Sequence, residues 1–144
     1  MIKLIVIGKI KEKYLVNMIE DYYKRINKYH KLEIIELPDN NPKLEAERIL
    51  KRINKNDINI SLDLKGEEYD SIKFSKLIEE SLMKYSNINF IIGGSLGLFE
   101  EVLKKSNKII SFSKLTFPHG MFRAILLEQI YRGFKIMNNE KYHK

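Results

Sequence analysis

Short apolar runs alternate with amphipathic segments along the whole chain, and this alternation predicts strands separated by helices. Each run is bounded by glycine, proline or charged residues, which is typical of a strand. The predicted strands are Ile2–Ile7, Leu32–Leu37, Ile58–Leu64, Ile88–Ile92 and Lys108–Phe112. The segments between them place apolar residues at helical spacing, with charges between. The first predicted helix is Lys11–Asn27. The second begins at Pro42, has Asn41 as its N-cap and includes Ile53. The others are Ser71–Tyr85, with Ser71 as its cap, a short helix from Glu100 to Lys105, and Pro118–Met137.

This order of elements predicts an α/β fold with a mostly parallel sheet and helices on both faces. No linker, repeat or low-complexity tract divides the chain, so residues 1–144 are expected to form one domain. Ligands of such sheets bind beyond the carboxyl ends of the strands. Three segments lie there in the predicted arrangement: Leu64–Tyr69, Gly93–Gly97 and Ser113–Gly120.

The glycine segment Gly93–Gly97 would let the backbone approach a ligand closely. Its spacing is not that of the dinucleotide fingerprint, and no Walker lysine follows. A structural tight turn and a ligand-binding loop are therefore equally good interpretations of it.

The segment Ser111–Gly120 carries hydroxyls, a cation, aromatics and a histidine in ten residues. Its apolar side chains must be buried either in the core or against a ligand. Ser113, Thr116 and His119 suggest a nucleophile and a base, but no Gly-x-Ser-x-Gly motif surrounds Ser113, which argues against a hydrolase. The serine hydroxyls can equally satisfy the loop backbone, and His119 can equally cap or pack at the start of the last helix.

The last helix, Pro118–Met137, is apolar on more than one face. A helix of this kind is buried on both sides. Its second apolar face most simply meets another subunit, which predicts a homodimer. The alternative is a helix enclosed within one subunit.

The net charge of +7 favours a polyanionic partner, although a Lys-, Ile- and Asn-rich composition can also reflect genome base composition. Absence of cysteine removes disulfides, thiol nucleophiles and thiolate zinc sites, and the scattered histidines argue against any metal site. No run is long enough to cross a membrane. A soluble cytoplasmic protein is the default expectation.

The first helix region carries seven cations interleaved with four tyrosines, which suits a nucleic-acid surface as well as a solvated helix face. These cations are Lys9, Lys11, Lys13, Lys24, Arg25, Lys28 and Lys31. The polar tail Lys141–Lys144 is either disordered, as termini usually are, or covers a site.

Four blocks of the sequence together resemble a known family. They are Ile92–Gly97, Ser111–His119, Glu128–Ile136 and the terminal Tyr142-His143-Lys144, and the opening Val6–Lys11 resembles the family's start. The chain is similar over essentially its whole length to the ribosomal RNA large-subunit methyltransferases of the RlmH type, in the SPOUT superfamily.

The resemblance implies a homodimer whose C-terminal part is a trefoil knot holding S-adenosylmethionine. It implies that the cofactor is lined by Leu62, Gly93, Phe112, Ser113, Lys114, Leu115, Thr116 and Phe117. It also implies methylation of N3 of a pseudouridine in 23S rRNA of the assembled ribosome. This chemistry is an in-line displacement that needs no metal, so positioning of the two substrates is the main contribution.

The N3 proton must leave, which calls for a nearby base. His143 or His119 are the candidates for that base, with Tyr142 shaping the pocket. For the substrate, Arg123 is expected to hold a phosphate or the nucleobase, and Lys9, Lys11 and Lys144 are expected to contact RNA.

Two other functions compete with this one. A ribosome-associated RNA-binding protein could keep the fold without the chemistry, and cofactor binding would separate the two. A small nucleotide-binding α/β domain would bind nucleotide without transferring a methyl group, although the missing phosphate motifs argue against it.

Overall fold

Five strands form a single sheet in the computed structural model, which describes all 144 residues. The strands are β1 (Ile2–Ile7), β2 (Leu32–Leu37), β3 (Ile58–Glu68), β4 (Ile88–Ile92) and β5 (Lys108–Ser111). They follow the order β2-β1-β4-β3-β5, and every neighbouring pair is parallel. The expected α/β fold with a parallel sheet is therefore confirmed.

Five helices cover the two faces of this sheet: α1 (Lys13–Asn27), α2 (Pro42–Leu50), α3 (Ser71–Lys84), α4 (Glu100–Lys104) and α5 (His119–Met137). Alternate strand residues such as Leu4 and Phe90 pack in the larger cluster with α1, α3 and α5. Their sequence neighbours Ile5 and Ile91 pack in the smaller cluster with α2 and α4. The period-two alternation of strand side chains thus divides the core into two layers.

The N-terminal caps of α2 and α3 test the caps that the sequence predicts. Asn41 caps α2 as expected, since its side chain accepts a hydrogen bond from the Leu44 amide at 3.0 Å. The predicted cap Ser71 is wrong: Asp70 is the N-cap of α3 and accepts from the Lys73 amide at 2.7 Å. Its carboxylate also complements the positive end of the helix dipole.

Strand β3 is longer than predicted, because it continues through the expected loop to Glu68. Its pairing with β5 shifts register between Leu62 and Glu67, so that both of these residues align with Ile110. Gly66 lies so close to β5 that an added Cβ would be 2.6 Å from the backbone of Ile110. The intervening residues bulge out of the sheet at its carboxyl end.

Helix α5 lies between α1 and α3, against the sheet. Most of the apolar surface of α5 is thus covered inside the subunit, which is the enclosed helix considered above as the alternative to a dimer. The apolar composition of α5 therefore no longer argues for a dimer. Exposed apolar side chains remain near the starts of α1 and α5, at Tyr14, Met18 and Met121. None of the five helices combines the length and apolar character needed to cross a membrane.

Candidate cofactor cavity

A cavity of about 610 Å³ opens at the carboxyl ends of β3, β4 and β5. All three segments that the sequence placed at this edge contribute to it. Its lining consists of residues 62–65 from β3, residues 92–98 after β4, residues 110–113, 115–117 and 119 around the β5–α5 connection, and Phe122. A cleft of this size and position is typical of a small-molecule site.

The glycine segment forms a tight turn at the floor of this cavity. The Gly97 amide donates to the Gly94 carbonyl at 3.0 Å, and Gly97 has a positive φ of 80°. A Cβ on Gly93 would lie 2.7 Å from the Gly97 backbone. The glycines are therefore needed to form this tight turn, and the turn is part of the cavity wall.

Three phenylalanines build an aromatic wall. Phe112 contacts Phe122 with ring centroids 5.4 Å apart, and Phe117 stacks on Phe122 at 6.0 Å with an interplanar angle of 22°. Phe122 was not among the residues expected at the site. Its helical position marked it as a core residue, and only its proximity to Phe117 reveals the second role.

The serine hydroxyls of the β5–α5 connection hold the loop together. Ser111 Oγ donates to the Ser113 carbonyl at 2.8 Å, and Ser113 Oγ accepts from the Leu115 amide at 3.0 Å. This is the backbone-satisfying role that the sequence left open beside nucleophilic catalysis.

Seven of the eight expected cofactor residues line the cavity: Leu62, Gly93, Phe112, Ser113, Leu115, Thr116 and Phe117. The eighth, Lys114, is exposed and is not part of the lining. Its side chain lies outside the cavity wall that its neighbours form.

His119 is the first residue of α5 and lines the same cavity. Its Nε2 makes a short contact with the Ile7 carbonyl oxygen. A carbonyl only accepts, so Nε2 carries the hydrogen, and Nδ1 of the neutral ring is then an acceptor. The contact ties the start of α5 to the carboxyl end of β1.

Arg123, which is expected to hold a phosphate or the nucleobase, has its guanidinium engaged within the fold. Its side chain is 3% exposed, and Nη1 donates to Glu36 Oε2 at 2.6 Å while Nη2 donates to the Gly8 carbonyl at 3.0 Å. Burial lowers the pKa of its guanidinium, and the bond to Glu36 opposes that change. Arg123 therefore fastens α5 to β2 and to the end of β1.

The tail residues lie away from the cavity of their own subunit. Tyr142 donates to Glu128 Oε2 at 2.9 Å and packs edge-on against Tyr131, while His143 Nδ1 lies 3.1 Å from Arg132 Nη1. Burial, followed by its hydrogen bonds, raises the pKa of Tyr142, which stays protonated at neutral pH. Arg132 is 13 residues beyond the start of α5, which corresponds to about 20 Å along the helix.

The cations assigned to RNA remain accessible. Lys9 and Lys11 are exposed between β1 and α1, and Lys144 is exposed at the end of the chain. Lys9 and Lys11 follow the carboxyl end of β1, the same edge of the sheet as the cavity. Nowhere do three or more His, Asp or Glu side chains converge in a geometry that could hold a metal ion.

A second, smaller pocket of about 450 Å³ adjoins the first and shares residues with it. It is lined by Asp39, Asn40, Glu45, Ser95, Leu96 and His119. Its walls come from the carboxyl end of β2, the first turn of α2, the glycine turn and the start of α5.

The parallel sheet and the glycine-turn cavity are those of a ligand-binding α/β protein, and comparison with known proteins identifies the class. Residues 1–143 match the family described as "Predicted SPOUT methyltransferase". The chain belongs to the SPOUT methyltransferases, which confirms the resemblance found in the sequence.

Individual relatives agree with this assignment. The protein named "Ribosomal RNA large subunit methyltransferase H 1" of Clostridium perfringens (strain SM101 / Type A) is 50% identical, with 99% of each chain covered. The structure of a probable methylase family protein from Haemophilus influenzae Rd KW20 has a TM-score of 0.59 at 13% identity, over 99% of this chain and 70% of that chain. The SpoU methyltransferase AviRb from Streptomyces viridochromogenes, in complex with the cofactor AdoMet, has a TM-score of 0.50 at 9% identity, over 90% and 56% of the two chains.

Proposed function

We propose that this protein is an S-adenosylmethionine-dependent methyltransferase of large-subunit ribosomal RNA. The family assignment and the name of the Clostridium relative, which matches over nearly its whole length, support the reaction. The observation that carries the proposal is the cavity at the carboxyl ends of β3, β4 and β5, which joins the glycine turn to the aromatic wall.

The residues of this cavity fit the cofactor. Leu62, Ile110 and Phe112 offer apolar contacts for an adenine ring, and the backbone around Gly93 is open to close approach. When bound, S-adenosylmethionine supplies an activated methyl group on a sulfonium. The protein contributes position: the loop is stiffened by its serine hydrogen bonds, so the cofactor meets a preformed wall.

The proposed acceptor is N3 of a pseudouridine in 23S rRNA. N3 forms a bond to the methyl carbon as the carbon–sulfur bond breaks, and the N3 proton passes to a base. His119 Nδ1 is one candidate base, because its other nitrogen is committed to the Ile7 carbonyl at the cavity edge. His143 is the other candidate base, and Tyr142 would shape the pocket.

A catalytic role for the tail requires a second subunit. Tyr142 and His143 pack along α5 well beyond the cavity of their own chain, so they would act on the partner's cavity. We therefore propose a homodimer, supported by the exposed apolar side chains of Tyr14, Met18 and Met121. The C-terminal trefoil knot, which the resemblance implies, is part of the same proposal.

The basic surface is proposed to dock the enzyme on the assembled ribosome in the cytoplasm. The chain carries a net charge of +7, and residues 1–144 fold around one sheet. Lys9, Lys11 and Lys144 would contact phosphates, and two subunits would double the patch. Weak, salt-sensitive binding to an isolated rRNA stem-loop is expected, whereas tight binding that resists salt would contradict this proposal.

The proposal is tested by incubating the protein with radiolabelled S-adenosylmethionine and with intact ribosomes, free large subunits or naked rRNA, and by identifying the labelled nucleotide. Label in a pseudouridine of intact ribosomes is the expected result. Label on naked rRNA would overturn the docking proposal but keep the reaction. Cofactor binding without any label would indicate another acceptor, and absence of cofactor binding would favour a non-enzymatic RNA-binding protein.

Subunit sharing is tested by mixing two inactive variants. A Gly93→Ala chain should lack a working cavity, and a His143→Ala chain should lack the tail group. If the tail acts on the partner's cavity, one of the two sites in each mixed dimer is intact. Statistical exchange makes half of the dimers mixed, so an equimolar mixture should regain about a quarter of the wild-type rate. No recovery in dimers shown to have mixed would contradict the shared site.

A further inference from the structure

Glu45 is a buried carboxylate with an unused oxygen. The residue is 6% exposed, and its Oε2 accepts a hydrogen bond from the Asn40 amide at 2.8 Å, which closes the start of α2. Its Oε1 has no hydrogen-bond partner in the protein, and no cation pairs with the carboxylate. Both oxygens lie within 3.3 Å of the Cβ position that an alanine at Gly94 would occupy.

A carboxylate with so little exposure is most favourable when both of its oxygens have hydrogen-bond partners. The buried cation of this fold, Arg123, is paired with Glu36. Helix capping accounts for only one oxygen of Glu45. The residue lines the smaller pocket, and its Oε1 is not fully enclosed by the protein. The free oxygen is thus placed to accept a hydrogen bond from a ligand.

The chemistry of the smaller pocket indicates what that ligand is. Asp39, Glu45 and Nδ1 of His119 all offer acceptors, and two of them are acidic. Two carboxylates would repel a phosphate or a carboxylate, so a ligand that presents hydrogen-bond donors fits this pocket. The larger cavity alone is big enough for the cofactor. A methyltransferase also needs a binding site for the acceptor next to the cofactor.

We propose that the smaller pocket seats the acceptor nucleobase and that Glu45 Oε1 accepts a ring N–H. This inference rests on the proposed function. Pseudouridine has N–H groups at N1 and N3, whereas uridine has a C–H where pseudouridine has its N1–H. With N3 turned to the methyl group, N1–H is the donor left for Glu45. Glu45 is therefore the residue that distinguishes pseudouridine from uridine.

The test compares Glu45→Gln with the wild type on ribosomes that carry either pseudouridine or uridine at the acceptor position. Glutamine keeps the shape, and its amide oxygen can still accept from Asn40, which turns the NH₂ group toward the ring N–H. Glu47→Ala, on the exposed side of the same helix, is the matched control. Methyl transfer and cofactor affinity are both measured.

The wild type and Glu47→Ala are expected to favour pseudouridine by about tenfold or more in kcat/KM, which is the scale of one hydrogen bond to a charged group. Glu45→Gln should lose that preference through slower transfer to pseudouridine, with cofactor affinity unchanged. An undiminished preference would overturn the inference, and so would a loss of cofactor affinity, which would assign the carboxylate to the cofactor's ammonium group. A wild type that methylates neither ribosome would instead overturn the proposed function, and this inference with it.

Should Glu45→Gln fail to fold, Asp39→Asn probes the same pocket from an exposed loop. A partial loss of the preference for pseudouridine is expected there. A full retention of the preference in folded Asp39→Asn would count against an acceptor-lined base pocket.

Discussion

Arg123 on α5 and Glu36 on β2 form an ion pair of 2.6 Å across 87 residues of sequence, and the arginine end of this pair is buried. The same guanidinium holds the Gly8 carbonyl at the end of β1. A cation that the sequence suggested for RNA binding is thereby part of the fold. Its position one turn from His119 also links this pair to the edge of the cofactor cavity.

Arg123→Met is expected to destabilise the protein by about 2–4 kcal/mol, because it leaves the buried Gly8 carbonyl without its donor and packs less well. Thermal or denaturant unfolding measures this loss. Arg52→Met removes an exposed arginine and is the control, with little change expected. A fully stable Arg123→Met protein with weaker RNA binding would instead restore the phosphate-binding role.

Gly93→Ala is expected to weaken cofactor binding strongly. The new Cβ would lie 2.7 Å from the Gly97 backbone, so the turn must open, at a cost of about 1–3 kcal/mol. Isothermal titration with S-adenosylmethionine measures the affinity. Gly133→Ala is the matched control, because it lies inside α5 and its Cβ would make only ordinary contacts, with Ile78 and Ser75. Unchanged affinity in Gly93→Ala would show that the glycine turn is no part of the cofactor site.

Phe117→Ala is expected to reduce cofactor affinity about tenfold while lowering stability little, since one aromatic contact is worth about 1–3 kcal/mol and Phe117 stacks on Phe122 at the cavity mouth. Lys114→Ala, three residues earlier and outside the cavity lining, should bind the cofactor normally. The same titration distinguishes them. A loss in Lys114→Ala without a loss in Phe117→Ala would mean that the loop acts through its charge rather than through its aromatic wall.

The folded state is expected to lose stability as the pH drops below the usual range of the histidine pKa, because His30 is harder to protonate in the folded protein than in the unfolded chain. Its ring stacks on Phe134, its Nε2 is buried without a partner, and burial followed by the nearby N-terminal charge lowers its pKa. The unfolded chain therefore takes up the proton first, at about pH 6.5, and protonation favours unfolding from there down to the folded-state pKa.

His30→Phe should remove this part of the acid sensitivity. Denaturant unfolding of both proteins at about pH 7.5 and about pH 5 isolates the effect, because every other titrating group is shared. The wild type should lose more stability than the variant between the two conditions. An identical loss in both proteins would show that His30 does not titrate differently on folding.

Local sequence determined much of this protein. The apolar runs located all five strands, since a buried parallel strand needs no information beyond its own side chains. Asn41 was found as a cap because capping joins residues only three apart. The cavity followed from the same pattern: parallel strands end at one edge, so the segments after them converge there. The family resemblance supplied the cofactor residues, and seven of the eight line that cavity.

The tertiary structure decided what depends on partners distant in sequence. Whether Arg123 faces RNA or Glu36 is set by the pairing of α5 with β2, and whether α5 meets a second subunit or lies between α1 and α3 is set by packing. The extension of β3 depends on β5 lying beside it. The unused oxygen of Glu45 is visible only once every neighbour is known. The periodicity of apolar residues predicts which side chains are buried. Which residues they pack against is determined only by the assembled fold.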